Sequence, residues 1–259
     1  DARVLEHAFL LDRGEARDRA TLQGVVADYG GAVVSGYASK QGDCANSANI
    51  DRQALMCWVW GIDQKYADSQ PDTGALYAGY DFEKPSPILA RDRFGLVHGF
   101  LVGGASVRPC ADPRRGRVLA LDGKDAAVEL PKSATDLREA TYALWFRWQG
   151  GLSTLLRIQG RGDDRLTLTA AGDQGRIAVV AKAGRDSLRL VGPKAVPGRW
   201  THAAVTFRDG VVELVVDGRT VATTRSQITP DRFWAEAPGE GGAWLGRGFA
   251  GQVDDFRGY

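Results

Sequence analysis

Three kinds of chemistry are open to this set of residues: acid–base work, stacking on indoles, and thiol chemistry. The three histidines, His7, His98 and His202, stand far apart in the sequence. No H-E-x-x-H zinc pair, G-x-S-x-G nucleophile elbow or P-loop occurs. Carboxylates pair only as neighbours, as in Asp163-Asp164 and Asp254-Asp255. Glycosidases hold their two carboxyl groups about 5–10 Å apart across a cleft. Glu129, Glu213 and Asp217 could form such a set only if the fold brought them together. A protein that binds without making or breaking bonds is therefore the expectation, with no catalytic residue.

Sugar recognition uses aromatic platforms beside planar polar groups. Trp234 and Trp244 fall in the Gly-rich stretch 233–248, with Arg232 and Arg247 near them. Trp145, Trp200 and Trp244 lie in strand-like runs and are expected in the core. That leaves Trp234 as the exposed platform, with Arg232 and Arg247 as its polar partners. Arg161-Gly162-Asp163 reads as a hairpin turn.

Cys44 and Cys57 lie 13 positions apart in a polar region, and Cys110 stands alone. With no C-x-x-C pair, the three do not form a zinc pattern. In an exported chain a Cys44–Cys57 disulfide is expected, closing a loop worth roughly 3 kcal/mol. In a cytosolic chain all three would be unpaired thiols.

The elements that must position these residues differ between the two ends of the chain. Its 259 residues allow one large or two small domains. Val4, Ala8, Leu11, Leu22, Val25, Val26, Tyr29 and Val33 recur at helical spacing, so residues 2–38 are expected to form a helix. The pairs 4 and 22, 8 and 26, and 11 and 29 are each 18 apart, which is five turns and keeps one stripe in line. The polar stretch 12–19 with Gly14 suggests a kink, and Lys40-Gln41-Gly42 a stop. Residues 43–75 read as loop, with 54–60 a possible strand.

From Leu76 onward the texture changes to β. Short runs are expected at 76–82, 99–107, 117–122, 126–130, 140–148, 152–158, 165–169, 175–182, 187–191, 199–207, 211–216, 219–225, 243–246 and 250–258. Asp209-Gly210 and Asp217-Gly218 are strong hairpin signals. Many short strands without intervening helices imply an antiparallel β-sandwich. The apolar run 211–216 is expected to be covered on both faces or curved into the core. The domains expected are therefore 1–75, helix and loop, and 76–259, sandwich.

Charge gives a further exclusion. Through Ala75 there are 7 Lys+Arg against 11 Asp+Glu, and beyond it 26 against 21. Neither part is polybasic, so nucleic acid is not an expected partner. No apolar run reaches the about 20 residues that span a bilayer. Asp1 opens directly into a charged stretch, so the chain is expected to be cytosolic or to have shed an export segment.

The order of motifs from 76 to 259 resembles the bacterial laminin-G-like, concanavalin A-like jelly rolls. Those motifs are Leu76–Glu83, Ala90–Gly95 with His98-Gly99, Ala120–Gly123 with Val128–Pro131, and Thr141–Trp148. The most specific is Gly198-Arg199-Trp200-Thr201-His202-Ala203-Ala204-Val205, followed by 211–218 and the close Gly251–Tyr259. The resemblance implies that the first and last strands lie side by side, making the strand that ends at Tyr259 the last one needed. It also implies a possible Ca²⁺ site of Asp92, Asp254 and Asp255, completed by carbonyls near Phe94 and Gly95. Strand alternation would send Asp254 and Asp255 to opposite faces. Solvated turn carboxylates, or Arg91 or Arg93 in place of the ion, are the alternatives. His202 falls where the family has a histidine in a core strand, which implies a packed, hydrogen-bonded role rather than that of a general base.

Residues Glu15–Val26 and Ala32–Ala38 resemble the N-terminal helix of type IV pilin-like proteins of the mannose-sensitive haemagglutinin type. This resemblance implies a bacterial surface subunit that packs against other pilin subunits and displays the sandwich. Its partners would be glycans or cell-surface proteins. A second reading is a secreted carbohydrate-active enzyme or its binding module, and a third is a structural subunit whose sandwich decorates a filament and recognises nothing.

Overall fold

The computed structural model describes residues 78–93, 97–234 and 242–259. The chain divides into two units, Asp1–Thr73 and Gly74–Tyr259, and the described residues all lie in the second. The expected N-terminal helix, the pilin-like segment and the Cys44–Cys57 disulfide fall outside the described residues. So do Phe94 and Gly95.

Fifteen strands are formed among the described residues. They are β1 Ala78–Tyr80, β2 Leu89–Ala90, β3 Gly99–Val102, β4 Ser106–Pro109, β5 Arg117–Asp122, β6 Ala127–Leu130, β7 Ala140–Gln159 and β8 Arg165–Asp173. They continue with β9 Arg176–Ala183, β10 Asp186–Lys194, β11 Trp200–Arg208, β12 Val211–Val216, β13 Arg219–Arg225, β14 Gly242–Leu245 and β15 Phe249–Gly258. All pairings are antiparallel.

Two sheets share one strand. In the first sheet, β15 lies between β7 on one side and β5 and β1 on the other, and β7 leads on to β11, β12 and β13. The second sheet runs β10-β9-β8-β7-β14-β6-β3-β2. The strand common to both is β7. Its first part pairs with β11 and β15 through Trp148, and its last part pairs with β8 and β14 from Thr154. Between them Gly150 and Gly151 take φ of 104° and 75°, a backbone that bends the strand where a side chain would resist. The two runs 140–148 and 152–158 are thus one strand that turns a corner. The expected run 99–107 instead divides into β3 and β4, one for each sheet, at Gly103-Gly104.

The core lies between the sheets. Tyr142, Leu144 and Phe146 of β7 meet Ala203, Val205 and Phe207 of β11, and all are buried. Val253 and Phe256 of β15 and Leu166 and Leu168 of β8 join them. First and last strands pair as the resemblance implies, with Tyr80 opposite Phe256 and their rings stacked at 5.6 Å. Asp209-Gly210 and Asp217-Gly218 both have positive φ at the two positions, the backbone of a two-residue hairpin turn. The run 211–216 departs from expectation. Val212, Leu214 and Val216 are buried, but Val211, Glu213 and Val215 alternate with them on a half-open face.

A tight crossing fixes the corner. A Cβ on Gly251 would lie 2.2 Å from the Arg147 carbonyl oxygen and 2.8 Å from Cε1 of Phe249. Gly251→Ala is expected to destabilise the sandwich by more than about 3 kcal/mol. Urea unfolding of the purified chain measures this, and a loss below about 1 kcal/mol would show that the crossing relaxes freely.

Candidate functional site: an indole cleft on the outer sheet face

Alternation decides what the first sheet shows to solvent. With Tyr142, Leu144 and Phe146 turned inward, Trp145 and Arg147 must face outward. The same parity puts Trp200 and His202 of β11 on that face. Register then sets them side by side: Trp200 opposite Arg147, and His202 opposite Trp145. On the other flank of β7, Gln252 pairs with Arg147 and Asp254 with Trp145. Six outward side chains from three strands therefore form one patch.

A loop then closes over it. Asp112 caps the 3₁₀ turn Pro113–Arg115 by accepting from the Arg114 N–H at 3.1 Å. That turn carries Arg115 across the face. Its guanidinium lies 4.0 Å from the Trp145 ring centre and 4.8 Å from that of Trp200. Its Nη1 donates to Asp254 Oδ2 at 3.1 Å. Arg147 reaches the Trp200 ring at 5.6 Å. The hairpin turn at Asp217 forms the far wall. Asp217 accepts the His202 backbone N–H at 2.9 Å and pairs with Arg199 at 3.2 Å. Between these groups lies a cleft of about 570 Å³, lined by Trp145, Arg199, Trp200, His202, Asp217 and Gly218. Its volume falls in the usual ~300–1,000 Å³ range of small-ligand sites.

Burial shapes the electrostatics. The His202 ring meets Trp145 edge-on at 5.2 Å. Burial holds its pKa below the usual value, against the opposing pull of Asp217, so the ring is neutral at pH 7. The ring is half-buried on the outward face of its strand, where it lines the cleft rather than packing in the core. Burial pushes Asp254 up to about 6, although the Arg115 hydrogen bond and charge act in the opposite direction.

The residues singled out from sequence are placed as follows. Trp234 is not an exposed platform. It is 8% exposed, and its Nε1 donates to Thr135 Oγ1 at 3.1 Å, inside the core. The short helical turn Pro230–Phe233 carries Phe233 inward and Trp234 follows it. Arg232 pairs with Asp186 at 2.9 Å, while Arg247 lies over Trp244 at 5.0 Å. The three engage three different partners and do not converge on one another in these contacts.

The carboxylates expected to hold calcium are each engaged. Buried Asp92 accepts the Gly79 N–H at 2.8 Å and the Val97 N–H at 3.5 Å, while its own N–H donates to His98 Nδ1 at 2.9 Å. It braces the loop that follows β1. Arg115 stands at Asp254 where a cation would, and Arg257 pairs with Asp255 at 2.8 Å. Asp254 and Asp255 also escape simple alternation. Asp255 sits at a register shift with φ 48°, so Val253 and Phe256 both face the core around it. Among the described residues, no three His, Cys, Asp or Glu side chains group as ligands for a metal.

The residues that build the cleft were legible only in part. Outward parity of Trp145 and Trp200 follows from alternation within each run. Their juxtaposition depends on the β7–β11 register, which separates them by 55 positions in sequence. Glu129 lies on β6 of the second sheet and Glu213 on β12 of the first, with Asp217 in the turn after β12.

An antiparallel jelly-roll sandwich with an aromatic cleft on the outer face of one sheet is the class of protein these features define. The chain belongs to the Concanavalin A-like lectin/glucanases superfamily, of the laminin-G type, matched over residues 122–259. No curated protein matches it. Among solved structures it is similar to domain 4 of AbnA, a GH43 extracellular arabinanase of Geobacillus stearothermophilus, in complex with arabinotriose. The identity is 18%, the TM-score 0.56, and the match covers 71% of this chain and 91% of that one. It is also similar to the Trypanosoma rangeli sialidase in complex with 2,3-difluoro-KDN, at 14% identity and a TM-score of 0.53. There the match covers 80% of this chain but 36% of the sialidase. Both likenesses are likenesses of fold.

The Asp254 carboxyl makes a pH-dependent contribution of defined sign. Its folded pKa is raised, so the stability it contributes is complete below its unfolded value of 3.8 and is lost as pH rises through about 6. Relative to Asp254→Asn, the native chain is expected to lose stability between pH 4 and 7, by up to ~1.4 kcal/mol per pH unit. Paired urea melts across that range measure the difference, and a flat difference would contradict the raised pKa.

Proposed function

We propose that residues 78–259 form a non-catalytic glycan-binding module, with the ligand seated on Trp145 and Trp200. The pair of indoles on one outer sheet face, edged by Arg115, Arg147, Arg199, His202 and Asp217, carries this reading. Indoles present flat apolar faces to the C–H face of a sugar ring, and the charged rim offers hydroxyl partners. The arabinanase domain of the same fold, solved with arabinotriose, supports it. A binding rather than catalytic role is supported by the two carboxylates nearest the indoles. Asp254 is held by Arg115 and Asp217 by Arg199, so neither stands free as an acid or base. Recognition is proposed to run without calcium, since Asp92, Asp254 and Asp255 already have protein partners.

Two carriers fit such a module. Residues 15–38, with their pilin-like pattern, favour a cell-surface subunit that displays it. The arabinanase match, itself one domain of a larger enzyme, favours an accessory module of an extracellular carbohydrate-active protein. Locating the native chain in filaments or in the secreted fraction separates them.

The module reading is tested on a glycan array, run once with calcium and once with chelator. Hits in both conditions are expected. Trp145→Ala and Trp200→Ala, each shown to be folded by near-UV circular dichroism, should weaken those hits by about 2 kcal/mol, or roughly 30-fold. Hits that survive both substitutions would remove the site from this cleft, and hits lost in chelator would restore the calcium reading.

A further inference from the structure

The Arg199–Asp217 bridge bounds the cleft on one side. On its other side lies a second hollow of about 420 Å³, lined by Pro193, Arg199, Val216, Asp217, Arg219 and Val221. Arg199 and Asp217 line both hollows, so their bridge is the divide the two share. The first hollow lies on the outer face of the first sheet. The second lies across the β12–β13 turn, beside Pro193 of β10, with Val216 and its register partner Arg219 on the inward parity. Each hollow alone is of small-ligand size. A single sugar ring would leave one of them empty.

Charge around the two hollows is not balanced. Arg199, Arg219 and Asp217 line them, and Arg115, Arg147 and Asp254 stand beside Trp145 and Trp200. Arg115 is paired with Asp254 and Arg199 with Asp217. His202 is neutral at pH 7. Arg147 touches only the Trp200 ring, and Arg219 is exposed; neither meets an acidic side chain among the described residues. These two free cations stand at different hollows, on β7 and β13. Three strand spacings separate them, roughly 14 Å in the cross-strand direction. A neutral ligand would offer these cations only single hydroxyl acceptors, whereas a guanidinium matches a carboxylate or sulfate in a stronger, paired hydrogen bond.

We infer that the ligand is an extended acidic glycan, several sugars long, that crosses the Arg199–Asp217 bridge. Arg147 and Arg219 would bind its negatively charged groups on either side. This rests on the glycan-binding reading above. It adds that the chain is acidic and long enough to fill both hollows.

The test is the full chain on an array carrying neutral, carboxylated and sulfated glycans. Binders confined to the acidic classes are expected, and which class binds identifies carboxylate or sulfate as the source of charge. Neutral binders of equal strength would overturn the inference while leaving the glycan-binding module in place. Silence across the array would overturn both. A length series of the acidic binder, from two to eight sugars, is then titrated by calorimetry. Affinity should climb until both hollows are filled. Arg219→Ala should weaken the long members about tenfold and leave the disaccharide unchanged, while Arg147→Ala should weaken both. Affinity independent of length, or an Arg219→Ala variant that binds every length like the native chain, would overturn the two-hollow ligand.

Discussion

One strand belonging to two sheets is the constraint on which this sandwich depends. β7 runs 20 residues, and its halves form the interior of different sheets. Because it is shared, the sheets cannot slide past one another without breaking its pairings. The bend at Gly150-Gly151 and the close approach of Gly251 to the Arg147 carbonyl hold the corner. β15 follows β7 around it, pairing with Ser153 on one side and Trp148 on the other. Register at the outer face is thereby set from within the core. A one-residue slip of β7 would turn Trp145 inward and expose Phe146.

The functional face takes its character from a second conflict, between solvation and charge. Asp254 is buried enough to resist ionisation, yet it faces a guanidinium that demands it. The indoles of Trp145 and Trp200 resolve part of that tension. They give Arg115 a second, electrostatically attractive surface at 4.0 and 4.8 Å, so the guanidinium is held by ring faces as well as by its carboxylate. The 3₁₀ turn that carries Arg115 is short and capped by its own aspartate, which limits where that side chain can reach. A loop residue thus becomes part of the sheet face, and the same polar edge that stabilises the indoles defines the cleft beside them.

Much of the fold was legible in the chain. Short alternating runs, the Asp209-Gly210 and Asp217-Gly218 turns and the absence of helical periodicity after residue 76 specify an antiparallel sandwich by local chemistry alone. Individual burial was less legible. Trp234 sits in a Gly-rich stretch and reads as exposed, but the turn at Pro230–Phe233 swings it onto Thr135. Trp145 and Trp200 sit in strand runs and read as core, but they occupy the outward parity. Asp254 and Asp255 read as a plain alternating pair, which a register shift and the left-handed backbone of Asp255 undo.

What the sequence determined by itself is therefore the set of local conformations: which residues extend, which turn, and which side of each strand is apolar. Those properties depend on neighbours a few positions away, through sterics and hydrophobic period. Tertiary structure alone decided which outward faces meet. Arg115 and Asp254 are 139 positions apart, and Trp145 and Trp200 come from strands whose register is fixed only when β7 is clamped between β11 and β15. Interactions of that kind require loop closures whose outcome rests on the packing of the whole core, so no window of the sequence contains them.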